Sequence, residues 1–222
     1  MERRWPIVAV AAAGGLLAWH RFVTPWQLRW GATDDEVRTP LPGDELVPDP
    51  ADQATRAVTV GADAADVWPW IVQLGADRGG FYSYTWLENL FRLGIHNADR
   101  IVPEWQELAV GDLVAADARR SGGWYVMQHV PGEVLVLAMG DVRTGRPVRR
   151  EEGLRWEFLW TFAVRPLAGG GSRLIVRERT GFDSRVTKLL FSPIGFVSFV
   201  MTRAMLLGIR SRAEATVTRP AR

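Results

Sequence analysis

The chain has three histidines, the side chain most often used for metal binding and for proton transfer near neutral pH. They stand at His20, His96 and His129, and none belongs to the His-x-x-x-His or His-Glu helix pairs that hold zinc. With no cysteine in 222 residues, thiolate catalysis, disulfides and cysteine metal sites are excluded. The sequence therefore predicts no metal site.

The serines and glycines do not indicate a nucleophile or a nucleotide site. Ser192, Ser198 and Ser211 lack the Gly-x-Ser-x-Gly context of a hydrolase. The run at residues 169–171 is Gly-Gly-Gly, without the lysine and hydroxyl of a phosphate-binding loop, and it joins two predicted strands. We therefore expect a hairpin turn there, and no cofactor.

The most polar candidate site surrounds His96, which lies near Asp99, Arg100 and Glu104. These groups, with Asn89, would suit general acid/base chemistry if they converged on a pocket. The interpretation that we favour is a surface ion-pair network pinning a loop, because charged side chains mostly stay at the surface.

Two arginines seven residues apart, Arg203 and Arg210, share one face of a predicted helix. They could pair with Glu157 or Glu178 of the sheet, or could bind an anionic head of an amphipathic ligand. We favour pairing of these arginines with the glutamates.

His129 alternates with its neighbours on a predicted strand, which allows either a surface position or a place in a cavity wall.

The overall charge gives no support to nucleic-acid binding. Lys and Arg number 27 against 25 Asp and Glu, so the net charge is only +2. The 11 tryptophans are unusual and need a large apolar home, in a core, a cavity or a membrane interface.

The N-terminus combines a basic start with an uncharged run from Trp5 to Trp19. The run is short for a spanning helix, which needs about 20 residues. We favour a membrane anchor over residues 1–30, located in the plasma membrane. The flanking charges do not define on which side of the membrane the domain lies. A helix packed on its own domain and a processed signal peptide are the alternatives. A proline-rich, acidic linker or strap at 31–53 then leads to a domain at 54–216.

Periodicity predicts the elements of that domain. Helices are expected at 64–74, capped by Asp63, at 84–92, and at the C-terminus with Pro193 in the first turn. Strands are expected at 55–60, 107–116, 124–130, 134–139, 154–165 and 173–180. The fold class is α+β, with antiparallel strands joined by hairpins and a long final helix.

From about Thr55 to Glu214 the chain resembles the SRPBCC superfamily, the START and Bet v1-like helix-grip proteins. The resemblance rests on this order of elements and on two segments, GGFYSYTWLEN at 79–89 and IHNADRIVPEWQ at 95–106, which are similar to an uncharacterised bacterial branch. It implies a curved sheet gripping the C-terminal helix, with a ligand cavity between them. It implies no particular activity.

Such a cavity would be lined by aromatic and flexible apolar side chains. The candidate ligand-binding residues are Phe81, Tyr82, Tyr84, Trp86, His96, Trp156, Phe158, Trp160, Met201 and Met205. A solid core is the competing interpretation, because aromatics at period two usually pack closely.

These observations lead to three hypotheses about the function of the protein. The first is membrane-tethered binding or transfer of a hydrophobic or amphipathic molecule, such as a lipid or polyketide. The second is a cofactor-free cyclase or dehydratase that uses His96, Tyr82 or Glu104 as acid or base. The third is an interaction or stress-response module with a filled core.

Overall fold

The computed structural model describes residues 14–15, 17–141, 143–144, 146–147 and 156–218. The predicted N-terminal helix over 1–30 therefore lies partly outside the described residues. Residues 17–28 are helical, with a π-helical turn at Trp19–Val23 followed by α1 at Thr24–Leu28. Among the described residues, no helix has both the length and the apolar character needed to cross a bilayer.

Within the described residues, seven antiparallel strands form one curved sheet. They are β1 Asp52–Val60, β2 Leu113–Ala115, β3 Gly123–Val130, β4 Val134–Asp141, β5 Arg146–Pro147, β6 Trp156–Pro166 and β7 Ser172–Phe182. The order is β1-β7-β6-β4-β3-β2, and β5 pairs with the edge of β4. The predicted α+β class is confirmed, as are the hairpins. The strand predicted at 107–116 is wrong in extent, since only Leu113–Ala115 pairs with β3.

Helix α2, Asp34–Arg38, lies in the segment 31–53. In the described part of the following domain there are three further helices: α3 Ala64–Val72, α4 Thr85–Leu90 and α5 Arg185–Thr218. The predicted position of Pro193 in the first turn of α5 is wrong, because the helix begins at Arg185, about two turns before Pro193. Ser184 explains the earlier start, because its Oγ accepts a hydrogen bond from the Thr187 N–H at 3.1 Å and so caps the helix. Asp63 stands at the N-cap of α3, but its carboxylate accepts from the Gly171 N–H instead.

Both faces of the central strands are covered. On one face, α3 and α5 pack against the sheet, and their buried side chains join the main core. On the other face lies a smaller cluster in which Leu41, from the segment 31–53, meets Ala57, Ala163 and Ile175. This double cover explains why β6 is buried continuously over 159–164 in spite of its alternating sequence.

The segment 31–53, hereafter the strap, is held to β7 by one buried and one half-buried arginine. The Arg177 guanidinium donates to the backbone oxygens of Glu36 (2.7 Å) and Thr39 (3.0 Å) and pairs with Asp44 at 2.6 Å. Arg173 pairs with the Glu36 carboxylate at 2.7 Å. The strap is therefore part of the packed structure.

The strap is not extended throughout, as its prolines had suggested. Helix α2 at Asp34–Arg38 begins with a capping box, in which Thr33 and Glu36 bond each other's backbone N–H groups. A 3-10 turn follows at Asp44–Leu46. The prolines at 40 and 42 follow α2 and end it. The capping box formed by Thr33 and Glu36 is the sequence signal that predicts the start of α2, and the prediction of an extended segment did not use it.

Candidate functional site

A cavity of about 270 Å³, partly open to solvent, lies between the sheet, α4 and the middle of α5. Its walls are apolar and aromatic, with a few polar groups. The lining residues are Phe81, Ser83, Glu88, Leu93, Ile95, Ala116, Trp124, Phe158, Trp160, Glu178, Ser198, Met201, Thr202 and Met205. The space beneath the C-terminal helix is thus not filled completely by side chains.

Five of the ten predicted ligand-binding residues line this cavity. They are Phe81, Phe158, Trp160, Met201 and Met205. The aromatic members form one continuous group with Trp124, whose ring centroid lies 5.3 Å from that of Trp160 and 5.8 Å from that of Phe81. The alternation of β6 correctly predicted that Phe158 and Trp160 lie on the same face of the sheet, the one that faces the cavity.

The other five predicted residues lie elsewhere. Tyr84, Trp86 and His96 are exposed, and Trp156 packs edge-on against Phe158. Tyr82 is buried, but its hydroxyl accepts from the Gln73 side chain at 2.9 Å. None of these five is among the lining residues of the cavity.

Tyr82 has a structural role behind the cavity wall. Burial raises the pKa of its hydroxyl, although the bond from Gln73 and the charge of Arg212 act in the opposite direction. The Arg212 guanidinium lies 5.0 Å from the centre of the Tyr82 ring. The phenol therefore stays neutral and anchors α5 to the loop that precedes α4.

Side-chain amides hold the loops on either side of α4. Asn89 brackets Ile95, donating to its carbonyl and accepting from its N–H, both at 2.9 Å. Asn97 accepts from the Tyr82 N–H at 2.7 Å and donates to the Ser83 carbonyl at 2.9 Å. The two segments that carry the family resemblance therefore build one wall of the cavity.

The predicted ion-pair network around His96 is not formed. Asp99, Arg100 and Glu104 are exposed, and none of the ion pairs between described residues joins them. Backbone and amide hydrogen bonds pin this loop instead; the Arg100 carbonyl, for example, accepts from Gln73 at 3.1 Å.

A buried ion pair forms one polar side of the cavity. The Glu178 carboxylate lies 2.9 Å from the Arg56 guanidinium and accepts hydrogen bonds from the hydroxyls of Ser198 (2.7 Å) and Thr202. Burial pushes the pKa of Glu178 upward, but Arg56 and the two hydroxyls outweigh burial and hold that pKa below its ordinary value. Glu178 is therefore an anion whose charge is paired by Arg56 and whose oxygens already accept hydrogen bonds from Ser198 and Thr202.

A second buried carboxyl, Glu88 of α4, lines the same cavity, and it forms no ion pair with any residue that the structure describes. The Ser83 hydroxyl donates to its Oε1, whereas Oε2 is buried and has no hydrogen-bond partner among the described residues. Burial raises the pKa of Glu88, and the bond from Ser83 offsets this only in part. One cavity thus contains two carboxyls whose pKa values are shifted in opposite directions, an arrangement suited to acid/base chemistry or to polar recognition.

The remaining polar candidates lie away from the cavity. Arg203 stacks on Trp30 at 5.0 Å, and Arg210 pairs with Glu214 one turn along α5. The pairing predicted for them with Glu178 was wrong, because Arg56 of β1 occupies that carboxylate. His129 stacks on Trp68 at 5.7 Å and bonds the Leu108 carbonyl, outside the cavity lining.

Sequence reasoning overlooked Glu88, Trp124 and the roles of Ser198 and Thr202. For Glu178 a signal was present, because in β7 it shares the face of Leu174 and Val176, which point into the core. Glu88 gave no comparable signal, since only the packing of the neighbouring loops buries it.

No protein-family model matches the chain, and no curated protein matches it. Solved structures do show similarity. A hypothetical protein of Helicobacter pylori aligns with a TM-score of 0.47 and 13% identity over 79% of this chain and 96% of its own. A Nitrosospira multiformis protein gives 0.45 and 8% over 76% and 100%. A protein from Arthrobacter aurescens gives 0.43 and 16% over 73% and 86%.

Proposed function

We propose that this chain is a helix-grip protein of the SRPBCC kind, which binds a small hydrophobic or amphipathic molecule and carries it to or from a membrane. A lipid or a polyketide-like compound is the expected class of ligand. The observation that carries the proposal is the aromatic cavity beneath α5, with a volume of about 270 Å³. It lies just below the volumes usual for pockets of drug-sized ligands.

The lining supports an apolar ligand of modest size. Trp124, Phe158 and Trp160 provide flat faces, and Met201 and Met205 provide flexible side chains that adapt to different shapes. Glu178 is already paired, so it contributes no free charge to the interior. A largely apolar molecule therefore gains most from entering this cavity.

Exposed aromatics next to the cavity support the membrane part of the proposal. Trp19 packs on Phe196 of α5 with ring centroids 5.2 Å apart, and Phe22 is 69% exposed. Ser198 and Met201, two and five residues further along α5, line the cavity. An apolar outer surface beside the cavity would suit a ligand exchanged with a bilayer, and the uncharged run up to Trp19 would act as the tether.

The direct test is mass spectrometry of small molecules extracted from the purified full-length protein. We expect an apolar compound in wild type and its loss in Ala116→Phe, which places a ring in the cavity wall. Val110→Phe is the matched control, because Val110 is 65% exposed and does not line the cavity. Equal recovery from both variants would contradict the proposal.

Acid/base catalysis of the cyclase or dehydratase type is a second candidate, favoured by Glu88. His96 and Glu104 are exposed and Tyr82 is bonded to Gln73, so the residues first considered are not assembled. Among the described residues that line the cavity, Glu88 is the one that combines burial with a raised pKa. The test is exchange of the α-hydrogens of bound 2-tetralone in D₂O, with Glu88→Gln as the control; exchange at the uncatalysed rate would rule this candidate out.

A further inference from the structure

Two residues in the cavity wall have buried polar atoms that the protein leaves unsatisfied. Oε2 of Glu88 and the indole Nε1–H of Trp160 each have no hydrogen-bond partner among the described residues. Both residues line the cavity, and each is at least nine-tenths buried. Buried polar groups in folded proteins are nearly always paired, so two such atoms on residues that line one cavity require an explanation.

The two atoms differ in hydrogen-bonding character. A carboxyl oxygen accepts, whereas an indole N–H only donates. Ser83 bonds only Oε1 of Glu88 and therefore leaves Oε2 for another partner. A hydroxyl group has both functions that are needed, because its hydrogen can be donated while its oxygen accepts.

We propose that the ligand of this cavity carries a neutral hydroxyl group, which donates to Glu88 Oε2 and accepts from Trp160 Nε1–H. The inference rests on the proposed ligand-binding function and assigns a chemical class to the ligand: an apolar, preferably aromatic or cyclic, alcohol or phenol.

The charges around the cavity disfavour an anionic ligand. Glu178 and Glu88 are the acidic residues of the lining, and Arg56, the cation that faces Glu178, is committed to that carboxylate and to the Gln27 carbonyl. A ligand carboxylate would meet Glu88 without a compensating cation. A fatty acid or an aromatic acid is therefore expected to bind more weakly than the corresponding alcohol.

Four probes of nearly equal size separate these interactions, with binding measured by isothermal titration calorimetry on the full chain. 2-Naphthol donates and accepts, 2-methoxynaphthalene only accepts, naphthalene does neither, and 2-naphthoate is an anion. We expect 2-naphthol to bind roughly ten-fold more tightly than naphthalene, with 2-methoxynaphthalene between them and 2-naphthoate weakest.

Variants assign the two hydrogen bonds. Glu88→Leu should reduce the preference for 2-naphthol over 2-methoxynaphthalene to about two-fold or less. Glu88→Met keeps the length of the side chain without an acceptor oxygen, so it tests the same point if the leucine variant does not fold. Trp160→Phe removes the N–H but keeps a smaller ring, and it should weaken 2-naphthol and 2-methoxynaphthalene more than it weakens naphthalene.

The outcomes separate this inference from the proposed function. If naphthalene binds wild type as tightly as 2-naphthol, the hydroxyl assignment is overturned while the apolar cavity site stands. Tightest binding of 2-naphthoate would also overturn it, in favour of an acidic ligand. If no probe binds wild type and none competes with the extracted compound, both the inference and the proposed function fail.

Discussion

At the scale of single residues, the Arg56–Glu178 pair carries a large desolvation cost. Both side chains are almost fully buried, and moving two charges out of water costs several kcal/mol per ion before their attraction offsets it. The pair is held by the hydroxyls of Ser198 and Thr202, and Arg56 also donates to the Gln27 carbonyl at 2.9 Å. It therefore couples β1, β7, α1 and α5 at the wall of the cavity.

Removing one partner should be far worse than removing both. Arg56→Met leaves the Glu178 charge buried and unpaired, and we expect a loss of about 3–5 kcal/mol in the free energy of unfolding. The double variant Arg56→Met/Glu178→Leu should recover most of this loss. Urea unfolding followed by tryptophan fluorescence measures both. Additive losses in the double variant would show that the two charges are not coupled.

The lowered pKa of Glu178 also predicts a pH dependence. A carboxyl whose folded pKa lies below its ordinary value of 4.5 contributes stability above that value and loses it as the pH falls through the folded pKa. Glu178→Gln should therefore destabilise the protein strongly at pH 6 and progressively less below pH 4.5. Thermal unfolding of both proteins from pH 6 to pH 3 measures this difference. A constant difference across the range would contradict the assignment.

At the scale of elements, the sequence predicted the order of strands and helices well because strong periodicity survives in it. The alternation Trp156, Phe158, Trp160, Phe162 identified β6 and placed two true cavity residues on one face. Prediction failed where tertiary contacts decide. Tyr84 and Trp86 belong to an aromatic cluster in the sequence but face solvent, whereas Glu88 of the short helix α4 is the residue that is buried.

Helix α5 must approach the loop before α4 closely, and Gly208 permits this contact. A Cβ at Gly208 would lie 2.3 Å from the Tyr82 carbonyl oxygen, which is backbone and cannot move aside. Gly208→Ala should therefore cost about 1–3 kcal/mol through overpacking. Gly195→Ala is the matched control in the same helix, where no described atom lies within 4 Å; it should stabilise by about 0.5–1 kcal/mol. Chemical denaturation distinguishes them, and equal effects would contradict the close approach.

The strap should detach when its buried arginine is removed. Arg177→Met eliminates the pair with Asp44 and the hydrogen bonds to the Glu36 and Thr39 carbonyls. We expect faster hydrogen exchange throughout residues 33–47 and a loss of about 3–5 kcal/mol in stability. Arg165→Met, on the exposed end of β6, is the control. Unchanged exchange in the strap would mean that the remaining contacts, such as the Arg173–Glu36 pair and the apolar packing around Leu41, hold it without Arg177.

At the scale of the whole molecule, the cavity and the exposed aromatic surface share one helix. The first half of α5 presents Phe196 and Val197 to the outside, while Met201 and Met205 turn toward the cavity. Trp19 and Trp26 of the N-terminal helical segment pack on the same stretch, through Phe196 and Phe199. Contact of this surface with a bilayer would place the cavity beside the lipids, because α5 belongs to both.

This arrangement predicts which surface contacts lipid. The double variant Trp19→Ser/Phe22→Ser should reduce flotation of the full chain with phosphatidylcholine/phosphatidylglycerol vesicles by about ten-fold, because two apolar side chains leave the interface. Val217→Ser is the control: Val217 is 55% exposed but lies roughly 30 Å from Phe196 along α5. If the double variant floats like wild type, this surface does not contact the membrane; if Val217→Ser is equally defective, the interaction depends on general hydrophobicity and not on the surface next to the cavity.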